Sequence, residues 1–495
     1  MKYSLIILTL LVFNFLTGFT KLVNFSYAQV HEEASSPNWS IDNKGNYKPS
    51  FFPVGVYIYG NEEELTSLAS KRNLSYEQWL EETFKDLKRH NCNSVYIANL
   101  SNNPKGFRKA VLSAERNNLY VFAQLTASMY LRPSLGIDHY KNVTLKAVEK
   151  FIPQYHDLPA IVAWMPKEEP STSEVPLLAN YRKYIKQLDK NRAIFTLHNT
   201  AEPFEKDIEN LPEWFGFDRY RFKTMIGKYG MLVSTPKDMV SRLCSELDLF
   251  YSLASQRRRP LIYVMQGFAT DWLGTKEQLL KFTKGKLPTK RSGWVQIEND
   301  LWFGWTKYPV PKFGMRLQCW LGVLEGAKGL LVYRYNPQGE DIGKRKVALI
   351  GHDGSETQQW KEFGETIAVL NPLFPLFLSW TKEASYVIQS NNPDVLVSSF
   401  VDKISNQRYV VIVNSKIAEW DNNSPALVGS NTELHFDFHG LQGLREAGDL
   451  KARFTIISGY YIKDLITNQI VEVDKENSFE LSLPPGGGRV LQIHN

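Results

Sequence analysis

The chain has 495 residues, 43% of them hydrophobic and 22% charged, with a formal net charge of +6. These values exclude a disordered chain, and the length exceeds what one ordinary core holds, so two domains are expected. The charge is mild for so long a chain. Its basic cluster, Arg257-Arg258-Arg259, closes a predicted helix where the helix dipole favours cations, so nucleic acid is not an expected partner.

Residues 1–28 read as an export signal. Lys2 precedes an apolar run from Leu5 to Leu16, and Ser26-Tyr27-Ala28 places small residues where a signal peptidase cuts. Its removal takes the net charge from +6 to +4, and a periplasmic or extracellular location follows. A membrane partner is expected only if the segment stays uncleaved. Residues 29–50 are polar and read as a linker.

From residue 51 onward, strand-like runs alternate with amphipathic segments. The strand candidates are Phe52–Tyr59, Ser94–Ala98, Tyr120–Leu125, Ala160–Trp164, Ala193–Leu197, Phe215–Tyr220, Leu261–Gln266 and Gly329–Tyr333. Between them lie helix signals. Ser75 and Gln78 form a capping box ahead of Trp79, Leu80, Phe84 and Leu87. Thr235 precedes Pro236 and the stripe Met239, Leu243, Leu247, while Pro311 opens a helix that Gly326 ends. Eight strand-then-helix units over residues 51–380 predict a (β/α)8 TIM barrel. A doubly wound sheet would carry a glycine-rich phosphate loop after an early strand, and none is present. Over residues 381–495, short strand-like runs alternate with Asn, Asp and Gly clusters, which predicts a C-terminal antiparallel β-sandwich.

The three cysteines, Cys92, Cys244 and Cys319, are far apart and read as free thiols. No metal or organic cofactor is implied: there is no Cys-x-x-Cys, and His435 and His439 fall in a strand-like run.

Active sites of such barrels gather at the C-terminal strand ends. These ends offer Tyr57 and Tyr59, Asn99, Gln124, Glu168 and Glu169, His198, Asp218 and Tyr220, Gln266, and Tyr333 in turn, with Trp164 inside the fourth strand. Hydroxyls, amides, carboxylates and aromatic faces together suit a carbohydrate. Trp302 and Trp305, on the long loop after strand seven, would extend the stacking surface.

Several of these phrases resemble the (β/α)8 glycoside hydrolases of clan A and the family 42 type. Ala163-Trp164-Met165-Pro166-Lys167-Glu168-Glu169-Pro170 is similar to their fourth-strand Asn-Glu-Pro phrase, and Phe217-Asp218-Arg219-Tyr220 to their sixth-strand Asp-x-Tyr. Pro260 through Gln266 and Arg316 through Tyr333 resemble their seventh- and eighth-strand phrases. The resemblance implies hydrolysis of an O-glycosidic bond with Glu169 as the general acid. Glu168 beside it would raise its pKa by like charge, although neighbouring side chains in extended chain point to opposite sides. One departure matters. Where those enzymes carry a nucleophilic Glu on strand seven, this chain has Gln266, and an amide cannot form the covalent glycosyl intermediate. Three alternatives stay open. Asp218, or Glu298 or Asp300 on the loop, supplies the second carboxylate; Glu168 and Glu169 act on a substrate whose 2-acetamido group attacks; or the chain is a non-catalytic carbohydrate-binding or polysaccharide-assembly protein.

Overall fold

The computed structural model describes residues 39–41, 47–207, 213–221, 224–227, 230–233, 236–271, 273–275, 295–296, 301–303, 310–337, 345–351, 353–383, 388–390, 392–402, 405–417, 426–428, 435–437, 448–456 and 461–494. Eight strands are predicted and eight close the barrel: β1 (Val54–Tyr59), β2 (Ser94–Ala98), β3 (Tyr120–Gln124), β4 (Ile161–Met165), β5 (Ala193–His198), β6 (Trp214–Asp218), β7 (Leu261–Gln266) and β8 (Gly329–Tyr333). All pair in parallel, each with its sequence neighbours, and β8 returns to β1.

Helices α1 (Glu62–Lys71), α2 (Tyr76–Arg89), α3 (Pro104–Arg116), α4 (Leu145–Phe151), α5 (Val175–Leu188), α6 (Ala201–Lys206), α7 (Pro236–Gln256), α8 (Gly314–Leu324) and α9 (Gln358–Leu370) surround them. The Ser75–Gln78 capping box forms as expected, the Ser75 hydroxyl accepting from the Gln78 N–H at 3.2 Å and the Gln78 amide oxygen from the Ser75 N–H at 2.8 Å. The cap assigned to Thr235 lies outside the described residues. Helix α8 starts later than Pro311 because Phe313 takes φ +69°, its N–H held by Glu362 Oε1 at 2.8 Å. Gly326, at φ +81°, ends it.

Period-two alternation divides each strand between two cores. Tyr57, Tyr96, Phe122, Phe195, Trp214, Ile262, Val264 and Leu331 fill the barrel interior. Their outward neighbours, among them Val56, Val95, Val121, Phe215 and Tyr263, pack against the helices. Gly216 is required inside: a Cβ there would stand 2.6 Å from the Phe195 ring.

Insertions follow the later strands, and they carry paired backbone. A hairpin (224–227 with 230–233) follows β6. After β7, Leu273–Thr275, Val295–Gln296 and Leu301–Phe303 form a small antiparallel sheet where a loop is predicted. The linker also departs from expectation, since Trp39–Ile41 pairs with Tyr47–Pro49. Both stretches contain alternating apolar and polar residues, the pattern a short strand needs.

The C-terminal region is antiparallel. Strands β9 (Trp380–Glu383), β10 (Ile388–Ser390), β11 (Val395–Asp402), β12 (Arg408–Asn414), β13 (Leu450–Ile456), β14 (Tyr461–Asp464), β15 (Gln469–Val471), β16 (Ser478–Leu483) and β17 (Gly488–His494) form two sheets, β9-β11-β12-β17-β14-β15 and β10-β13-β16. Between them lies an apolar core of Ile388, Val410, Ile412, Phe454, Phe479 and Leu491. Cys92, Cys244 and Cys319 are free thiols, and Cys92 and Cys319 are buried. Among the described residues, no helix is long and apolar enough to cross a membrane.

Candidate active site

Alternation along the strands decides which C-terminal ends face the barrel mouth. Tyr57 and Tyr59 on β1, Gln124 on β3, Asp218 on β6, Gln266 on β7 and Tyr333 on β8 share the parity of the interior residues below them. Beyond β4 the chain runs on through Glu168, which bridges to Leu197, and the Glu169 N–H donates to the Leu197 carbonyl at 2.9 Å. Glu169 then takes φ +43°, a left-handed conformation costing a non-glycine residue roughly 1–2 kcal/mol. That turn breaks the extended alternation. Glu168 and Glu169 therefore face the same mouth instead of opposite sides.

Glu168 is half-buried and closely held. Tyr96 donates to its Oε1 at 3.0 Å, Gln124 hydrogen-bonds its side chain, and its N–H donates to the Tyr130 hydroxyl at 3.2 Å. Burial, joined by the charge of Glu169, pushes its pKa to about 7, although Tyr96, Gln124 and Lys167 pull the other way. Asp218 is buried and hydrogen-bonded to Glu169 and Tyr220. Burial first, then Glu169 and Glu168, hold its carboxyl well above the ordinary range. Glu169 itself is exposed. Three carboxyl groups thus meet where full ionisation is costly, and burial with like charge holds the Glu168 and Asp218 carboxyls above the ordinary range.

Tyrosines wall this cluster. Tyr57 and Tyr96 stack with ring centroids 3.8 Å apart, Tyr333 meets Tyr57 edge-on at 5.5 Å, and Tyr220 lies 5.8 Å from Tyr333. Burial and the nearby carboxylates raise the phenol pKa of Tyr57 and Tyr220, and burial takes Tyr333 to about 12. Tyr59 faces Tyr333 at 6.2 Å, and its backbone is fixed by Asn336.

Several candidates turn out otherwise. Trp164 is not at the mouth. It faces outward from β4, wholly buried, its Nε1 donating to Asp189 Oδ2 at 2.8 Å beneath the Arg192 guanidinium. His198 also has the outward parity. Its Nε2 lies 3.1 Å from Asp207, which pairs with Arg182, and burial pushes its pKa down. Asn99 reaches the site through its backbone, at φ +64°, with its N–H donating to Gln124 Oε1 at 3.2 Å. Gln266 faces inward but is wholly buried, Nε2 donating to the Phe268 carbonyl at 3.1 Å, while Gln318 of α8 brackets its backbone. Asp218 does not stand across a substrate from Glu169, because the two are in hydrogen-bond contact. Carboxyl pairs that flank a glycosidic bond lie about 5–5.5 Å apart in retaining enzymes and about 6.5–9.5 Å apart in inverting ones.

The Trp302 side chain, Trp305, Glu298 and Asp300 lie outside the described residues, as do residues 1–28. Tyr96 and Tyr130 were not among the candidates. Tyr96 was accessible to the parity argument, being paired with Tyr57 across β1 and β2, whereas nothing local marks Tyr130.

Asp86, His90 and Glu356, away from this cluster, bring potential metal-ligating atoms within 4.8 Å of one another. Asp86 already accepts from Tyr335 at 2.7 Å, Trp360 at 2.9 Å and Arg89 at 2.8 Å. With its lone pairs so occupied, it acts as a structural tether between α2, α9 and the chain after β8.

No protein-family model matches the chain, and no curated protein does. Among solved structures, a chain named as a glycoside hydrolase is 13% identical, with TM-score 0.48 over 93% of this chain and 97% of that one. A β-galactosidase from the psychrophilic Marinomonas ef1 is 11% identical, with TM-score 0.47 over 66% and 62%. A family 2 β-galacturonidase from Eisenbergiella tayi, bound to galacturonate, is 11% identical with TM-score 0.43 over 67% and 54%, so the chain spans about half the length of that enzyme. These names are those of glycoside hydrolases and lend no support to family 42 in particular. At TM-scores below 0.5 the likenesses carry no argument, and the barrel rests on this chain's own strand pairing.

Proposed function

We propose that the chain is an exported glycoside hydrolase that cleaves O-glycosidic bonds in an oligo- or polysaccharide, with Glu169 as the general acid. One observation carries the reading: Glu169 is hydrogen-bonded to a buried carboxyl, Asp218, whose pKa burial and like charge hold well above the ordinary carboxylate range. Glu169 is the exposed member of that pair and can reach a ligand. The proton the pair shares passes from Glu169 to the departing glycosidic oxygen, and Asp218 keeps it at hand beforehand. Gln266 offers no nucleophile, so the attacking group is water or a group of the substrate itself. Glu168, whose pKa of about 7 leaves it partly ionised at neutral pH, is the base for that attack.

The second reading is carbohydrate binding without catalysis, which the buried amide of Gln266 favours. Incubation with a panel of α- and β-linked oligosaccharides, followed by mass spectrometry of products, separates the two. Hydrolysis by the parent is expected, with a loss of about 10²–10⁴-fold in Glu169→Gln while sugar binding persists. Binding without hydrolysis by the parent would establish the second reading instead.

A further inference from the structure

We infer that the barrel mouth selects a sugar bearing a free, protonated amine, with the ammonium group seated among Glu168, Asp218 and Tyr57. The inference takes its location from the glycosidase reading and goes beyond it in naming the ligand's charge.

An ammonium is all donor, with three N–H groups and no acceptor. The mouth supplies matching acceptors. Asp218 Oδ1 and the Tyr57 hydroxyl oxygen are both buried without a hydrogen-bond partner, on residues only 4% and 1% exposed. They belong to one site: Tyr57 stacks on Tyr96, which donates to Glu168 Oε1 at 3.0 Å, and Asp218 shares the inward parity of Tyr57. Leaving such groups unmatched is costly, and a ligand that donates to several at once relieves that cost.

Most basic side chains described near the mouth pair away from the carboxyl cluster. Lys167 lies 3.2 Å from Glu174 and over the Tyr130 ring, and Arg221 pairs with Glu246. Arg219 donates to the Asn199 carbonyl at 2.9 Å, whereas the wholly buried Arg334 borders the mouth, lying over Tyr59 and Tyr333 and hydrogen-bonding Tyr333. Seated beside Glu168 and Asp218, a sugar carboxylate would meet like charge. A neutral sugar would leave the carboxyl cluster dependent on its own protons. An incoming ammonium supplies the missing positive charge: Glu168 releases its proton to solvent, and Glu169 and Asp218 keep the one they share. Apart from this proton transfer to water, no bond is made or broken.

The test is calorimetric titration of the full chain carrying Glu169→Gln, which prevents turnover, with four tetrasaccharides of similar size at pH 6. These are β-1,4-linked glucosamine, its N-acetylated form, cellotetraose and tetragalacturonate. The glucosamine tetramer is expected to bind about tenfold tighter than cellotetraose, with tetragalacturonate not bound. Adding Glu168→Gln should bring glucosamine and cellotetraose level. Tyr57→Phe, the milder change, should narrow the gap and keeps the test available if the first variant fails to fold. Equal or tighter binding of the N-acetylated, neutral or acidic tetramer overturns the inference. Cleavage of one of those by the parent would leave the glycosidase reading standing, whereas failure to bind or cleave any tetramer would sink both.

Discussion

Glu168 sits where an ionised carboxylate is disfavoured, and the cost has a sign that can be measured. Its unfolded-state pKa is near the ordinary 4.5, and its folded one is about 7. Below pH 4.5 both states are protonated and the group costs nothing. Between pH 4.5 and 7 the unfolded state has released a proton that the folded state still holds, and the accumulated loss is about 3 kcal/mol. Glu168→Gln should therefore melt a few degrees above the parent at pH 8 and no higher than it near pH 4.5, read by thermal unfolding monitored by circular dichroism. A stability difference that does not change with pH would refute this assignment. Trp164 and His198 show the opposite outcome at this scale. Each has the chemistry of a sugar contact, yet each is satisfied by a buried partner on the outer face of the barrel, Asp189 for one and Asp207 for the other. Residue type alone did not separate these from Tyr57 or Asp218, whereas strand parity does.

At the scale of elements, Asp86 joins α2 to α9 and to the chain beyond β8, through Trp360 and Tyr335. Burial alone would raise its carboxyl, but hydrogen bonds from His90 and Tyr335 bring it down to about 2. A depressed carboxylate stabilises the fold above its unfolded pKa of 3.8, and that contribution is lost as pH falls through 2. Asp86→Asn is expected to cost about 2–3 kcal/mol at pH 7 and distinctly less at pH 3, by urea denaturation. An equal cost at both pH values would remove Asp86 as the charged tether. The left-handed turn at Glu169 belongs to this scale too. It brings two successive carboxylates to one mouth, which the extended strand before it would not do.

Over the whole molecule, barrel and C-terminal sheets share apolar packing. Trp380 stacks on Phe377 at 4.6 Å and on Phe400 at 4.3 Å, and a Cβ at Gly488 would stand 2.7 Å from Trp320 of α8. Lys382 adds an ion pair to Glu325 and one of 2.7 Å to Asp248. One hydrophobic cluster consequently runs from the barrel's helices into β11, β12 and β17. Scanning calorimetry should show a single endotherm, because neither part can unfold without exposing the other's apolar face. Two separable transitions would contradict this.

Much of the architecture was legible in the sequence, because burial on both sides of a parallel strand writes a continuous apolar run, and eight such runs are countable. The ring of strand ends was legible for the same reason, and with it Glu168, Glu169, Asp218, Tyr57 and Tyr333 as neighbours. Less accessible were contacts set by a single dihedral or by distant segments. The turn at Glu169, the hydrogen bond joining Glu169 to Asp218 of β6, Tyr130 under Glu168 and the burial of Gln266 are of this kind. Hydrophobic pattern is a one-dimensional record of which face is covered, so the sequence by itself determined the barrel and the ends that line its mouth. Distances between charges, and the desolvation that sets where their protons reside, arise only when separate strands close into one ring, and the tertiary structure alone decided them.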